Sequence, residues 1–245
     1  MFLAALRTMA AGVIVPAYVL ICGPPVLAWT VITGRAAWLY RTAGLGVRLG
    51  FALVGITVRI SGREHIRPGP VVYVCNHSSN VDSPAVFSAL RGLFPEVSVL
   101  YKAELRRLPV LVWAFDVAGF VPVARGNRDQ SWAAVDRAAD ALRSGKAFFI
   151  FPEGTRSRTG ELLPFKKGGF VMALKAEAPL VPVVVTGGRA AMRKGSWVIV
   201  PATVTVTFLP AISTTGLTYE SRDLVIAEVR QAIAAELAGR TSRLS

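Results

Sequence analysis

The chain contains two histidines, and one of them sits in the polar run Asn76-His77-Ser78-Ser79-Asn80-Val81-Asp82. An imidazole and a carboxylate are the parts of a general base. The carboxylate takes the Nδ1 proton and fixes the tautomer, which leaves Nε2 to remove a proton from a substrate hydroxyl. Such a base contributes roughly 10²–10⁴ in rate. On a regular helix residues five apart face about 140° away from each other, so His77 and Asp82 can meet only across a turn. The apolar run Val71–Cys75 reads as a strand, and Ser83-Pro84 reads as a helix start with serine at the cap and proline at the first helical position. His77 then lies in a strand-to-helix turn, within reach of Asp82. Taken alone, the spacing fits equally an Asx-rich turn whose histidine does no chemistry.

A second cluster follows another strand-like run, Ala147–Phe151, at the end where α/β folds bind ligands. In Glu153-Gly154-Thr155-Arg156-Ser157 a glycine, two hydroxyls and a guanidinium fall within five residues. Arginine grips phosphate through charge-assisted, often bidentate bonds. Arg158, Lys166 and Lys167 add charge, and Gly168-Gly169 open the next helical stretch with accessible N–H groups. Upstream, Arg125 and Arg128 come just past the strand-like Phe120–Val123. An ordinary basic loop explains any one of these features; together they converge on one anion. Glu153 is the awkward member, because a carboxylate repels phosphate. Bracing an arginine or hydrogen-bonding a substrate hydroxyl would account for it.

The elements that must position these residues are short and β-branched. Ile56–Ser61, Val71–Cys75, Val97–Tyr101, Phe120–Val123, Ala147–Phe151, Leu180–Val185 and Val204–Phe208 read as strands. Asp129–Ser144 and Ser221–Ala238 carry apolar stripes at helical spacing. Alternating strands and helices predict an α/β fold with a mixed, largely buried sheet flanked by helices. It spans residues 51–240 behind a separate segment at 1–50, with Arg240–Ser245 as a frayed tail.

That N-terminal segment is not ordinary globular sequence. No charged residue falls between Arg7 and Arg35. Gly23-Pro24-Pro25 predicts a break, which leaves Thr8–Cys22 about 22 Å long, short of the ~30 Å hydrocarbon core. The expectation is two helices that enter one leaflet and return, with Arg35, Arg41 and Arg48 snorkelling to the headgroups; a single bent span is the alternative. A cleaved signal peptide fits poorly, with only Arg7 in its n-region and no A-x-A-like site. The chain is 53% apolar and 18% charged, yet its net charge is +13. That combination suits an anionic membrane, where each Lys or Arg near the lipid adds roughly 1 kcal/mol. Nucleic acid is disfavoured: no motif for it is present, and the mean hydropathy of +0.48 is high for such a protein. Two cysteines and two histidines without ligand spacing make no zinc set. Cys22 and Cys75 read as reduced thiols of a cytosol-facing protein.

These residues resemble the 1-acylglycerol-3-phosphate acyltransferase (PlsC-like) family over roughly Ile56 to Thr207. Asn76 to Asp82 matches its N-H-x-x-x-x-D box, Gly119 to Arg125 its second box, Phe151 to Ser157 its third and Val181-Pro182-Val183 its fourth. Lys102 resembles the family's lysine after the third strand, and a two-helix membrane motif also occurs in the family. The resemblance implies a glycerolipid acyltransferase-like fold on the cytoplasmic face of the cell membrane. It implies transfer of an acyl chain from acyl-CoA or acyl carrier protein to the sn-2 hydroxyl of lysophosphatidic acid. His77 would be the base, held by Asp82, with Lys102 or nearby N–H groups at the oxyanion. Asn76, Arg125, Glu153, Gly154, Thr155, Arg156 and Pro182 would form the acceptor site. Neither a metal, a further cofactor nor an acyl-enzyme is implied. Glycerol 3-phosphate or another lysolipid remains an alternative acceptor, and a membrane lipid-binding protein without catalysis is the rival from another class. A hydrolase would need an activated serine, and neither Ser78 nor Ser79 lies in a G-x-S-x-G elbow.

Overall fold

The computed structural model describes residues 1–107, 109–123 and 128–241. The β-branched runs form β1 (Ile56–Ser61), β2 (Val71–Cys75), β3 (Val97–Lys102), β4 (Val121–Val123), β5 (Ala147–Ile150), β6 (Leu180–Thr186) and β7 (Ala202–Phe208). They make one mixed sheet in the order β1-β7-β6-β2-β5-β3-β4. From β6 to β4 the strands run parallel, while β7 is antiparallel to β6 and β1 is parallel to β7. The C-terminal ends of β2, β5 and β6 therefore emerge on one edge of the sheet, together with the N-terminal ends of β1 and β7.

The central strands are buried along their length, as their unbroken apolar sequences require. Because strand side chains alternate, the sheet divides its core in two. Val71, Tyr73 and Cys75 of β2 face the side covered by α3 (Asp82–Ala89), and Val72 and Val74 face the side covered by α5 (Arg128–Arg143), α6 (Gly168–Lys175) and α8 (Arg222–Thr241). Short helices α4 (Pro109–Val117) and α7 (Gly188–Ala191) complete the domain. α8 runs through Arg240 to Thr241, so the helix extends into the stretch expected to fray.

The N-terminus departs from expectation. α1 is one continuous helix, Phe2–Thr33, with Pro16, Pro24 and Pro25 inside it. It ends at Gly34, whose φ of 67° gives the left-handed cap that closes many helices. After a short turn α2 (Ala37–Val54) returns antiparallel. Tyr18 rests on Gly46 and donates to the Thr42 carbonyl at 2.9 Å; Val15 meets Gly50 and Arg7 meets Gly55. These contacts hold α1 on the N-terminal side of the proline pair, and buried Leu27 and Thr30 anchor it on the other. Neighbouring helices make prolines tolerable in apolar helices, and here packing overrides the local signal. At 32 residues and 1.5 Å per residue α1 is about 48 Å long, so it is long and apolar enough to cross a bilayer. The segment boundary expected at residue 50 falls inside α2, whose last turn enters the core at Val54.

Candidate active site

The loop leaving β2 is fixed from every side. The Asn76 amide donates to the Val185 carbonyl at 3.0 Å and accepts the Val185 N–H at 2.7 Å, tying the end of β2 to β6. The His77 N–H donates to Glu153 Oε1 at 2.7 Å, and the His77 carbonyl accepts the Ser157 N–H at 2.8 Å. Asp82, fully buried at the first turn of α3, turns Oδ2 back onto the loop. It accepts the Ser78 and Ser79 N–H groups, each at 2.7 Å, and lies 3.1 Å from His77 Nδ1. The imidazole stacks on Phe151, with centroids 4.1 Å apart. Carboxylate and ring contact thus fix both tautomer and ring plane, and among the described residues Nε2 has no hydrogen-bond partner.

The helix start differs in detail from the sequence reading. α3 begins at Asp82 behind Val81, so Pro84 is its third residue and Ser83 is not the cap. Proline is tolerated there because first-turn N–H groups lack intrahelical partners anyway. The serines are not poised as nucleophiles. Ser79 is buried, and its hydroxyl donates to the Met192 carbonyl at 2.7 Å.

Behind Asp82 stands a residue the sequence reading passed over. A Cβ at Gly188 would lie 2.1 Å from Asp82 Oδ1, an oxygen that is buried without a partner. Gly187, at φ 81°, brings the chain so close to β7 that its own Cβ would meet the Thr203 carbonyl at 2.1 Å. Gly188 lets the chain after β6 pass directly behind the carboxylate, and Gly187 lets it pack closely on β7. A glycine doublet at a strand end was the available signal.

Glu153 is buried, and both its oxygens are engaged by backbone: Oε1 by His77 and Oε2 by the Leu163 N–H at 3.0 Å. It braces the catalytic-type loop rather than an arginine, and Arg230 of α8 holds the neighbouring Leu162 and Leu163 carbonyls. Burial pushes the Glu153 carboxyl above its ordinary range, opposed by the two N–H bonds and by the His77 and Arg230 charges. Burial, and then the nearby Asp82 charge, push the Cys75 thiol well up, so it remains protonated.

Beyond Glu153 the chain turns at Gly154, whose φ of 65° is a left-handed conformation that favours glycine. Thr155 is exposed and Arg156 half-exposed; the Arg156 guanidinium has no partner among the described residues. Lys194, absent from the sequence reading, donates from Nζ to Thr155 Oγ1 at 3.2 Å and to the Arg156 carbonyl at 2.8 Å. Arg189 joins the same loop through the Arg158 carbonyl. One expected contributor points elsewhere: Lys167 pairs with Asp223 of α8 at 3.0 Å. Gly169 lies in the first turn of α6, where a Cβ would strike Ile150. Pro182 is buried in β6 opposite Val74. Lys102 closes β3 opposite Val123, with its side chain outside the described atoms. Arg125 lies outside the described residues.

An oriented base beside a cationic, hydroxyl-bearing loop is the geometry of acyl or phosphoryl chemistry on an anionic substrate. The Acyltransferase family model matches residues 57–186, more than half of the chain and both loops. The chain belongs to the Acyltransferase family. It is 34% identical over 197 residues to a 1-acyl-sn-glycerol-3-phosphate acyltransferase of Limnanthes douglasii, covering 79% of this chain and 63% of that protein. A Saccharomyces cerevisiae protein of the same description is 32% identical over 169 residues, 68% of this chain and 55% of its own length. The chain thus spans less than two thirds of either relative. Among solved structures, that of the 1-acyl-sn-glycerophosphate (LPA) acyltransferase PlsC from Thermotoga maritima superposes with a TM-score of 0.80 at 25% identity, covering 98% of this chain and 97% of that one. The fold expected of a glycerolipid acyltransferase is therefore the fold observed.

Proposed function

We propose that this member of the Acyltransferase family moves an acyl chain from a thioester of coenzyme A or acyl carrier protein to the sn-2 hydroxyl of 1-acylglycerol 3-phosphate. The observation that carries this reading is the His77 Nδ1–Asp82 Oδ2 contact at 3.1 Å, with Nε2 unpartnered among the described residues and the His77 carbonyl bonded to the Ser157 N–H of the loop that carries Thr155 and Arg156. His77 Nε2 takes the hydroxyl proton as the oxygen adds to the thioester carbonyl. When the tetrahedral adduct collapses, the C–S bond breaks, and the imidazolium returns the proton to the leaving thiolate. Asp82 offsets the transient imidazolium charge. Thr155, Arg156 and Lys194 hold the acceptor phosphate, joined by Arg125 on the strength of the family box. Lys102 or backbone N–H groups serve the oxyanion, where one donor is typically worth ~2.7–4 kcal/mol. No acyl-enzyme forms, because the base already stands next to the acceptor.

The same reading places the protein on the cytoplasmic leaflet. α1 exposes apolar side chains over most of its surface, among them Phe2, Met9, Val13, Leu20, Ile21 and Ile32, while Val15 and Tyr18 pack on α2. The test is the full chain with isotopically labelled acyl-CoA and, separately, acyl carrier protein, against lysophosphatidic acid, glycerol 3-phosphate and neutral lysolipids, with products resolved by mass. Phosphatidic acid should dominate and His77→Ala should abolish it. A different dominant acceptor would replace the substrate assignment. No acyl product from any acceptor, or His77→Ala at a tenth of wild-type kcat or more, would refute the mechanism.

A further inference from the structure

α2 and α3 enclose a groove of about 670 Å³ that the proposed chemistry leaves unused. Its wall is aromatic: Tyr40 stacks on Phe94 at 4.6 Å, Phe87 packs on Phe94 at 4.4 Å, and Trp38 stands half-exposed at the mouth. Its rim is cationic. Arg41 and Arg48, two turns apart on α2, face Arg91, which lies just beyond the C-terminal end of α3. Arg41 lies over the Trp38 ring, and none of the three arginines meets a carboxylate among the described residues. Among the described residues no acidic side chain lines the groove. A second groove, about 780 Å³, adjoins it and shares Arg48, Ser88 and Arg91. One wall of this second groove is β1, the edge of the sheet, which leaves backbone N–H and C=O groups open to a polar ligand.

We infer that this pair of grooves binds one anionic phospholipid of the surrounding leaflet. One acyl chain lies on the Tyr40–Phe87–Phe94 wall, the phosphate sits at the shared rim between Arg48 and Arg91, and the polar headgroup extends along β1. Charge selects the occupant: unpaired arginines around an apolar trough suit an amphiphile with a phosphate at one end, and a neutral lipid leaves them unanswered. Each groove taken singly is in the range of ordinary small-molecule sites, roughly 300–1,000 Å³, and a two-part amphiphile extends over both. The site is also separate from the base. Asp82 opens α3 and Arg91 lies past its other end, so the eight residues of the helix, about 12 Å at 1.5 Å per residue, stand between them. Trp38 and Leu45, both half-exposed on α2, line the groove. The inference rests on the reading that the α1–α2 hairpin contacts lipid.

Native mass spectrometry of the full chain in detergent, titrated with dioleoylphosphatidylglycerol or dioleoylphosphatidylcholine, tests it. One phosphatidylglycerol should bind per chain, at least about tenfold more tightly than phosphatidylcholine, the scale of a few charge contacts to anionic lipid. The double variant Arg48→Gln/Arg91→Gln should weaken phosphatidylglycerol at least about tenfold by removing charge. Gly44→Leu should do the same by filling the trough, since a Cβ at Gly44 already lies 4.0 Å from Phe87. Neither variant touches the His77 site, so acyl transfer in detergent should be retained within about twofold. Equal binding of the two lipids, unchanged affinity in both variants, or displacement of phosphatidylglycerol by acyl-CoA would each overturn the proposal. Vesicle flotation separates the underlying reading: bound phosphatidylglycerol in detergent without flotation keeps the lipid site and removes the membrane reading.

Discussion

Gly188→Ala asks most directly whether the placement of Asp82 matters. The added methyl would stand 2.1 Å from Asp82 Oδ1 and 3.2 Å from Ser79 Cβ. Non-bonded heavy atoms prefer about 3.5 Å or more, so the carboxylate or the short α7 must retreat by about 1 Å. The carboxylate has little room, because its other oxygen is held by two backbone N–H groups at 2.7 Å. The His77 contact at 3.1 Å is already near the long end of a hydrogen bond, and another ångström would break it. A 1 Å misplacement in a catalytic constellation costs on the order of 10² in rate, about 2.7 kcal/mol. Loss of the tautomer as well would approach the ~10⁴ seen when such an aspartate is neutralised. Overpacking should lower stability by about 1–3 kcal/mol.

The assay is thiol release from acyl-CoA at saturating lysophosphatidic acid, corrected for the folded fraction by circular dichroism. Gly187→Ala is the control. Its methyl meets the Thr203 carbonyl at a positive-φ position and does not touch Asp82. It should lower Tm yet leave kcat per folded molecule within about threefold. Gly188→Ala retaining more than a tenth of wild-type kcat while folded would show that the carboxylate can shift without consequence, and the positioning argument would fail.

Glu153→Gln should change how stability responds to pH. Burial raises the folded pKa above the ordinary 4.5, so between those values the folded state holds more protons and wild-type stability falls as pH rises. Urea midpoints from about pH 4 to pH 8 should show that decline in the wild type and not in the variant; parallel curves would reject it. Lys194→Ala should raise the acceptor KM by about tenfold or more, as for hydrogen bonds to charged groups worth ~1.5–3 kcal/mol, and leave the acyl-CoA KM alone. Lys167→Ala, whose ammonium is tied to Asp223, should change neither; the reverse pattern would reassign the anion loop. Trp197→Ala should weaken partition into phosphatidylglycerol vesicles by more than about tenfold. Its ring is 90% exposed, and burying about half of a ~200 Å² aromatic surface at ~25 cal/mol per Å² is worth about 2.5 kcal/mol. Unchanged flotation would place that ring in water.

The strands and the His77–Asp82 meeting were legible because both rest on local rules. Short β-branched runs bounded by turn residues favour strands, and a pair five apart can meet across a strand-to-helix turn but not along a regular helix. What was not legible depends on partners distant in sequence. The proline pair in α1 says break, and only the fit of Tyr18 on Gly46 and of Val15 on Gly50 explains why the helix continues. Glu153 looked like an odd neighbour for phosphate because its true partners, the His77 and Leu163 N–H groups, belong to other loops. Lys194 sits in an unremarkable basic stretch and acquires meaning only by folding back onto Thr155. Lys167 shows the converse: its charge is near the anion loop in sequence but is turned onto α8.

One segment links α1 to the loop that carries Thr155 and Arg156. Thr8 of α1 donates from Oγ1 to the Ile199 carbonyl at 3.2 Å and accepts the Ile199 N–H at 3.0 Å. Five residues earlier in the same segment, Lys194 holds Thr155 and the Arg156 carbonyl, and the exposed Trp197 lies between these two attachments. α1 also meets Gly55, where α2 hands over to β1, at the edge of the sheet from which the His77 loop emerges. Under the proposed membrane reading, the depth at which α1 settles in a leaflet is passed through this segment to the Thr155–Arg156 loop. A lysophospholipid whose tail stays in the bilayer presents its phosphate and sn-2 hydroxyl at one level. A site fixed to the helix that rides in the same leaflet meets both groups there without drawing the lipid out into water.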